Sequence, residues 1–231
     1  MDVLSIPRDT RVQYASGRYD KINHSMGYKN PEETIISLVK QITGMPIHYY
    51  CEVDFQGFRD VIDVLGGVEF DVPVDMHYED PVQNLYIHVD KGFQLLDGKK
   101  AEGVVRFRNT YANGDHDRIP VQQNFLKELF RQKLQPQYIA KAPAILEEIY
   151  EHVTTNFSVA DATKYVGMLK KMDGDSLKTH TLPGEGQYIG GISYYLYDEA
   201  ATKQMILEHF GYPEDEAKKL EEQKKAEAEG E

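Results

Sequence analysis

The hydrophobic pattern in the first third of the chain alternates between strand-like and helix-like spacing. Short apolar runs predict strands, and apolar positions three and four residues apart predict helices. The first helix has Asn30 and Pro31 at its predicted start and Gly44 at its end, while Asp54 caps the second. The predicted elements are a strand, a helix, a strand, a helix and a strand, at Val3–Ile6, Asn30–Gly44, Ile47–Val53, Asp54–Gly67 and Val68–Val74. This order indicates an α/β protein with helices packed on a sheet.

The rest of the chain is predicted to be mainly helical after an irregular segment. Residues 77–98 carry turn residues at both ends and predict irregular structure. A short helical piece follows, and Val104–Arg108 then alternates apolar and basic residues as an extended segment does. Further predictions are helices at 119–134, 138–153, 158–172 and 198–210, a strand at 177–182 and a glycine- and tyrosine-rich loop at 183–197. Because residues after Pro213 are nearly all Glu, Lys and Ala, we predict one domain at 1–211 and a charged tail at 212–231.

Composition narrows the class of protein. The 231 residues are 41% hydrophobic, which allows one substantial core. The formal charge of −12, from 26 basic and 38 acidic side chains, repels the phosphates of nucleic acid, so no nucleic-acid partner is expected. The single cysteine, Cys51, excludes an internal disulfide. No apolar run approaches the roughly 18 residues of a membrane span.

The start of the sequence reads as the interior of a domain. Met1 and Asp2 lead directly into the predicted strand Val3–Ile6, with no cap or polar lead before it. We therefore expect a shortened domain in which this strand lies inside the sheet with one neighbouring strand position empty.

Candidate chemistry begins where the first predicted strand ends. Arg8 and Asp9 follow Pro7 at the exit of that strand, and ligands of open α/β sheets gather at the carboxyl ends of strands. The planar guanidinium of Arg8 can grip phosphate oxygens through two hydrogen bonds, and Asp9 can hold that guanidinium or act as a base. The alternative is an Arg–Asp pair that stabilises a turn. Lys21 and Asn23, in the following loop, add a cation and an amide donor but are a weak signal alone.

A second group of candidate residues surrounds the start of the long helix. On an extended segment Arg106 and Arg108 point to the same side, where they share an anion or repel each other in solvent. Arg118 opens a helix, whose free N–H groups and dipole favour an anion, and Gln122 lies one turn further on. With Asp115 these residues describe a pyrophosphate clamp. The alternative is a solvated loop and helix start of mixed charge.

Several common enzyme signatures are absent from the sequence. None of the eight histidines stands in an HExxH or other paired ligand spacing, which argues against a zinc enzyme. There is no Walker loop and no GxSxG elbow. Asp115 and Asp117 can approach a cation together, but two carboxylates without further oxygen ligands are more typical of a solvated loop.

Six ordered motifs resemble those of the LytR-CpsA-Psr family, also labelled cell-envelope-related transcriptional attenuators. Between residue 3 and about residue 211 the motifs read SIPRDTRV, DKINHS, DVLGGVEFDV, GFQLLDGKKAEGVVRFR, GDHDRIPVQQ and GEGQYIGGISYYLYD. The resemblance implies an α/β fold with a mixed central β-sheet flanked by helices in an α-β-α arrangement. The first strands of that fold are expected to precede Met1. It also implies a protein that is anchored in the cytoplasmic membrane and faces outward.

The activity implied by the resemblance is phosphotransfer. Family members move the glycan phosphate of a polyprenyl pyrophosphate-linked glycopolymer, such as teichoic acid or capsule, onto peptidoglycan. The expected partners are therefore that lipid-linked glycan, peptidoglycan and the membrane. Mg²⁺ is the expected cofactor, with its aspartate ligands upstream of Met1 and no metal ligand in this chain. The alternatives are a non-catalytic polyprenyl-phosphate binding module of the cell envelope and a transcriptional regulator, and the charge of −12 argues against the regulator.

The resemblance also assigns candidate roles to single residues. Four arginines match the cations that neutralise the phosphates: Arg8, Arg106, Arg108 and Arg118. Three residues match substrate-binding positions: Arg11, Lys21 and Asn23. Gln122 is expected to orient an oxygen, and Asp9 or Asp115 to hold an arginine or accept the hydroxyl proton. The cations are expected to converge on one cleft beside an apolar pocket.

Some positions depart from the family pattern or allow two interpretations. Val121 stands where relatives usually have an arginine, and His116-Asp117 replaces an apolar–glycine pair. Three apolar residues of the long helix can line a lipid channel or belong to the core: Phe125, Leu129 and Phe130.

Overall fold

The structure, a computed structural model, describes residues 1–108, 115–135, 138, 141–158, 160–161, 165 and 176–211. Its strands are β1 (Asp2–Ser5), β2 (Arg11–Gln13), β3 (Tyr19–Lys21), β4 (Cys51–Glu52), β5 (Val68–Val72), β6 (Met76–Asp80), β7 (Leu85–Val89), β8 (Gly92–Leu96), β9 (Thr154–Thr155), β10 (Lys178–Thr181), β11 (Gly184–Ile189) and β12 (Ile192–Tyr197). Its helices are α1 (Pro31–Thr43), α2 (Phe55–Val64), α3 (Gly98–Arg106), α4 (Asp115–Lys133), α5 (Ala142–Tyr150) and α6 (Glu199–Phe210), with short 3₁₀ helices at Ile22–Gly27 and Pro81–Gln83. The predicted α/β class is confirmed.

The strands within these ranges pair two by two, where the prediction had one central sheet. The pairs are β1–β10, β2–β3, β4–β9, β5–β8, β6–β7 and β11–β12. Three of these described pairs join strands that follow each other along the chain. A tight turn after one strand allows the next strand to pair with it in the antiparallel sense.

The residues group into two compact units, each with its own apolar core. One unit is Tyr49–Thr179 together with Met1, and the other is Asp2–His48 together with the chain from His180 onward. The predicted tail at 212–231 and most of the helix predicted at 158–172 lie outside the described residues. Within the described ranges, every helix is too short or too polar to span a lipid bilayer.

The unit around Tyr49–Thr179 contains strands that the sequence pattern did not predict. Residues 77–98, predicted as irregular, form most of the β6–β7 hairpin and β8, and β8 pairs with β5. The prediction was wrong because these strands bury one face only, and their exposed face carries polar residues such as His77 and His88. The strand predicted at Ile47–Val53 is shorter and is limited to β4, and the helix predicted at 138–153 contains α5.

The apolar core of this unit lies between β5, the β6–β7 hairpin and helices α2, α3 and α4. Phe125 of α4 is 3% exposed, and its ring lies 6.1 Å from that of Phe58 and 5.7 Å from that of Phe70. Leu129 packs against the same cluster, and Phe130 is half-buried. The core interpretation of Phe125 and Leu129 is therefore the one that the structure supports.

In the second unit α1 packs against α6, and the core brings residues of α1 together with residues of β2 and β12. Its core contains Val12, Tyr14, Ile22, Leu38, Ile42, Leu182 and Tyr195. The loop predicted at 183–197 is instead the β11–β12 hairpin, whose turn is formed by Gly190 and Gly191. Both glycines have positive φ, 60° and 81°, which is the conformation that a two-residue hairpin turn requires. The glycines that suggested a loop therefore make a hairpin turn.

Strand β1 delivers the chain to the candidate site. Lys178 N donates to Met1 O and Leu182 N donates to Ser5 O, both at 2.9 Å, so β1 and β10 run in the same direction. Strand β1 is half-buried rather than buried as predicted. Its other edge has no strand beside it among the described residues.

Candidate functional site

A tight turn after β1 presents Arg8 and Asp9. Thr10, which is completely buried, donates from both its backbone N (3.0 Å) and its Oγ1 (2.6 Å) to the carbonyl of Pro7. Asn23 N donates to Arg8 O at 3.2 Å, and Ile22 N donates to Thr10 O at 2.8 Å. These bonds hold the start of the Ile22–Gly27 helix against the turn, and they bring the two predicted loop residues to the strand exit.

Asp9 joins the two predicted cations of this unit. Its Oδ1 lies 3.2 Å from Lys21 Nζ and 3.7 Å from Arg8 Nε. The side chain of Arg8 is 48% exposed, whereas that of Lys21 is 19% exposed. One carboxylate between two cations leaves a net positive charge, and half of the Arg8 side chain remains open to solvent. The structure therefore contains the predicted Arg–Asp contact and also an arrangement that can receive an anion.

Asn23 and Arg11 have different surroundings. Asn23 is half-buried, and its Oδ1 has no hydrogen-bond partner among the described residues. The guanidinium of Arg11 lies over the Tyr19 ring, 4.0 Å from its centroid, and 5.8 Å from that of Tyr194. A guanidinium held on an aromatic face is stabilised there by cation–π attraction. Arg11 is thus fixed by aromatic rings and Asn23 by the turn.

The strand end that carries Lys21 is held by a tyrosine and an aspartate. Tyr14 donates its hydroxyl to Lys21 O at 2.7 Å and stacks on Tyr28 with a centroid distance of 5.0 Å. Burial raises the pKa of Tyr14 to about 12, so the phenol stays a neutral donor. The pKa of Asp20 is lowered, first by the hydrogen bond from His24 and then by the backbone N–H of Lys21. The hydrogen bonds of Tyr14 and Asp20 to the backbone of Lys21 fix the strand end from which the Lys21 side chain reaches Asp9.

In the other unit, Arg106 is the last residue of α3 and not part of an extended segment. The argument that Arg106 and Arg108 point to one side because they alternate along a strand is therefore wrong. Phe107 between them is 1% exposed and belongs to the core, while Arg108 is exposed. The residues alternate between apolar and basic here because Phe107, at the end of the helix, is buried, whereas the positions on either side of it are less buried. The guanidinium of Arg106 lies 3.9 Å from the centroid of the Phe55 ring.

Glu102 is a site residue that sequence reasoning missed. Its side chain is 7% exposed, and its Oε1 accepts from Arg106 Nη1 at 2.6 Å, while its Oε2 accepts from Arg59. Arg59 also donates to Gln56. The i, i+4 spacing of Glu102 and Arg106 is the signal that could have found the pair. Arg59 is the one basic residue among ten acidic residues in the sequence between Glu52 and Asp90, yet the buried carboxylate that it contacts, Glu102, lies outside that stretch.

A cavity of mixed polar and apolar lining adjoins this buried carboxylate. Its volume is about 250 Å³, and Arg59, Lys99 and Glu102 line it together with residues of β7. Arg8, Arg106 and the other predicted cations do not line this cavity, so the apolar pocket expected beside them stays a prediction.

The remaining predicted residues lie on α4. Gln122 donates from Nε2 to Val105 O at 2.9 Å, which fastens α4 to the last turn of α3. This contact assigns Gln122 a structural role, and the expected contact with a substrate oxygen stays a prediction. Arg118 is half-buried in the first turns of the helix. Asp115 begins the helix, but its side chain and that of Asp117 lie outside the described residues.

The structure thus brings the predicted residues together in two groups. One group is Arg8, Asp9, Lys21 and Asn23, and the other lies around the end of α3 and the start of α4. The groups belong to different compact units, so their convergence on one cleft stays a prediction.

The described residues of these groups do not suit Mg²⁺. The ion requires oxygen ligands in nearly octahedral positions. Asp9 already faces two cations, and both oxygens of Glu102 accept from arginines. Among the described residues of these groups, the cations are the side chains that can neutralise a phosphate.

Comparison with known proteins identifies the family. Residues 1–209 match the LytR_cpsA_psr family. The chain belongs to the LytR-CpsA-Psr family. The resemblance carried by the six motifs is confirmed, and the matched range includes every residue of both candidate groups.

The LytR-CpsA-Psr relatives of this chain include two transferases of Bacillus subtilis. The polyisoprenyl-teichoic acid–peptidoglycan teichoic acid transferase TagV is 32% identical over 224 residues, which cover 93% of this chain and 57% of TagV. TagU, which has the same transferase name, is 29% identical over 212 residues, covering 90% of this chain and 65% of TagU. The chain therefore spans about three fifths of the length of these relatives.

The crystal structure of B. subtilis TagV confirms the fold. It aligns with a TM-score of 0.77 at 31% identity, and the alignment covers 91% of this chain and 83% of the TagV chain.

Proposed function

We propose that this LytR-CpsA-Psr protein transfers a glycopolymer phosphate, of the teichoic acid or capsule type, from polyprenyl pyrophosphate to peptidoglycan. The proposed location is the outer side of the cytoplasmic membrane, where peptidoglycan lies, with the protein held there by a membrane anchor. The transferase names of TagV and TagU support this activity. The structural observation that carries the proposal is the group of Arg8, Asp9 and Lys21, which holds a net positive charge in a fixed turn.

The cations of this turn match the physical demand of phosphoryl transfer. When a hydroxyl attacks a phosphorus of the pyrophosphate, negative charge is redistributed over the phosphate oxygens, and fixed cations stabilise that charge without reorganising. Arg8 can donate two parallel hydrogen bonds to one phosphate, and Lys21 acts as a compact point charge. Asp9 positions both, because its Oδ1 contacts both cations. The buried Thr10 bonds keep the turn from moving when an anion arrives.

Arg106 is the cation of the second group with the most completely described surroundings. Its side chain is 17% exposed, and its guanidinium contacts Glu102 on one side and the Phe55 ring on another. Such an arginine is pre-organised, so little side-chain entropy is lost when a phosphate binds its remaining donors. In this proposal Arg106, Arg108 and Arg118 bind phosphate, and Glu102 is a positioning residue that fixes Arg106.

A binding experiment tests the phosphate role of both groups. The probe is farnesyl pyrophosphate, measured by isothermal titration with wild-type protein, Arg8→Ala, Lys21→Ala and the double variant Arg106→Ala/Arg108→Ala. Each lost charge-assisted bond contributes roughly 1.5–3 kcal/mol, which corresponds to a loss of affinity of roughly 10- to 150-fold. The matched control is Arg131→Ala, whose arginine pairs with Glu128 on the exposed side of α4 and should leave affinity unchanged.

The outcomes separate the proposed functions. Unchanged affinity in Arg8→Ala and Lys21→Ala would remove the turn after β1 from the proposal. Competition by inorganic pyrophosphate distinguishes head-group binding from binding of the prenyl tail. A transfer assay with a polymer-linked polyprenyl pyrophosphate and peptidoglycan then separates the transferase from the non-catalytic lipid-binding module. Binding without any transfer in that assay would favour the module.

A further inference from the structure

A cluster of metal-ligating side chains contains none of the residues of the two candidate groups. Asp2 of β1, His180 of the neighbouring strand β10 and His209 in the last turn of α6 place one ligand atom each within 4.8 Å of one another. Among the described residues, no other group of three or more such side chains has its ligand atoms this close together. All three residues belong to the same compact unit.

One distance within the cluster is close to that between two ligands of one metal ion. Asp2 Oδ1 lies 3.0 Å from His180 Nε2. Two ligands at about 2.0–2.1 Å from a tetrahedral zinc are roughly 3.3 Å apart, so the carboxylate and the imidazole already stand at nearly the separation of zinc ligands. The rings of His180 and His209 are stacked with centroids 4.1 Å apart, which places the second imidazole beside the first.

The surroundings of the three side chains fit a site with one open position. The side chains of Asp2 and His180 are 24% and 14% exposed, and the rings of Phe210 and His180 make an edge-type contact with centroids 5.7 Å apart. His209 is exposed and closes the cluster from the solvent side. Two imidazoles and one carboxylate leave the fourth position of a tetrahedral ion to water. Imidazole ligands favour zinc and its transition-metal neighbours over Mg²⁺ and Ca²⁺, which prefer oxygen ligands.

We propose that Asp2, His180 and His209 bind a divalent transition-metal ion, Zn²⁺ in the first place. The ion links β1 and β10 to the last helix. It therefore joins segments that are distant in the chain, since Asp2 and His180 are 178 positions apart. Asp2 lies at the start of β1, whereas Arg8 follows the end of that strand, so the proposed metal ligands are separate from the proposed phosphate ligands. Sequence spacing concealed the cluster because no two of its members stand near each other in the chain.

The experiment measures Zn²⁺ affinity by competition with a chromophoric chelator. The proteins are the wild type, Asp2→Asn, His209→Ala and the matched control His88→Ala, in which an exposed histidine that pairs with Glu79 at 3.0 Å is removed. We expect one Zn²⁺ per wild-type chain and the same affinity in His88→Ala. Asp2→Asn and His209→Ala should lose at least about 10-fold, since even the loss of an outer partner of a metal ligand costs that much.

Two further readouts complete the test. Zn²⁺ should raise the melting temperature of the wild type and of His88→Ala but not that of His209→Ala, because a ligand that binds only the folded state stabilises it. His209→Ala removes an exposed side chain at a helix end and is expected to fold. Farnesyl pyrophosphate affinity should be unchanged in this variant, which keeps the fate of the metal site separate from that of the phosphate site. Equal Zn²⁺ affinity in the wild type and His209→Ala, or no Zn²⁺ bound by the wild type, would overturn the proposal.

Discussion

Replacing Glu102 by Gln tests whether this buried carboxylate holds two arginines in place. The substitution keeps the shape of the side chain, removes its charge and turns one acceptor oxygen into an amide group that faces a guanidinium. One charge-assisted hydrogen bond is lost, and that loss costs roughly 1.5–3 kcal/mol. Breaking a buried ion pair can cost about 3–5 kcal/mol. Because the side chains of Arg106 and Arg59 are 17% and 31% exposed, water screens their charges, and we expect about 2–3 kcal/mol.

Thermal unfolding followed by circular dichroism and urea unfolding measure this loss. For a chain of this length, 1 kcal/mol shifts the melting temperature by about 2–4 °C, so Glu102→Gln should lower it by about 4–12 °C. The control is Glu128→Gln, which removes the same charge from a carboxylate that accepts from Arg131 at 2.7 Å but whose side chain is 35% exposed. This exposed pair should contribute at most about 1 kcal/mol. A melting temperature for Glu102→Gln that is no lower than that of Glu128→Gln would refute the reasoning.

Three further substitutions have defined outcomes. Thr10→Val keeps the buried shape but loses the hydroxyl bond at 2.6 Å, and urea unfolding should show a loss of about 1 kcal/mol. Gly98→Ala places a Cβ 2.2 Å from the carbonyl oxygen of Arg59 and should lower the melting temperature, whereas Gly27→Ala, with no atom within 4 Å, should cost far less. Because the pKa of Asp20 is lowered in the folded state, its carboxylate contributes stability above the ordinary pKa of 3.8, and this contribution is lost as the pH falls through the folded-state pKa. Asp20→Asn should therefore remove that part of the acid dependence of the urea midpoint.

The sequence by itself determined the elements whose signals are local. Helix α1 ends at Gly44, which has φ of 69°, and helices α2 and α6 begin where Asp54 and Asp198 accept from backbone N–H groups at 2.7 and 2.9 Å. A cap forms within four residues of its helix, so its chemistry is visible in the sequence alone. The first candidate group was also predictable, because Arg8, Asp9, Lys21 and Asn23 stand in two short motifs near the start of the chain.

Tertiary structure alone decided the features that join distant positions. The polar strands of the β6–β7 hairpin carry a weak hydrophobic signal, and they are strands because one face packs on the core beneath α3. Arg106 stands on a helix because Phe107 is buried at the helix end, although the same residues read equally well as an extended segment. The links of Glu102 to Arg59 and of Asp2 to His180 span 43 and 178 positions, and the folded chain brings these side chains within reach. A sequence pattern reports the period of one element, whereas these contacts depend on which elements pack together.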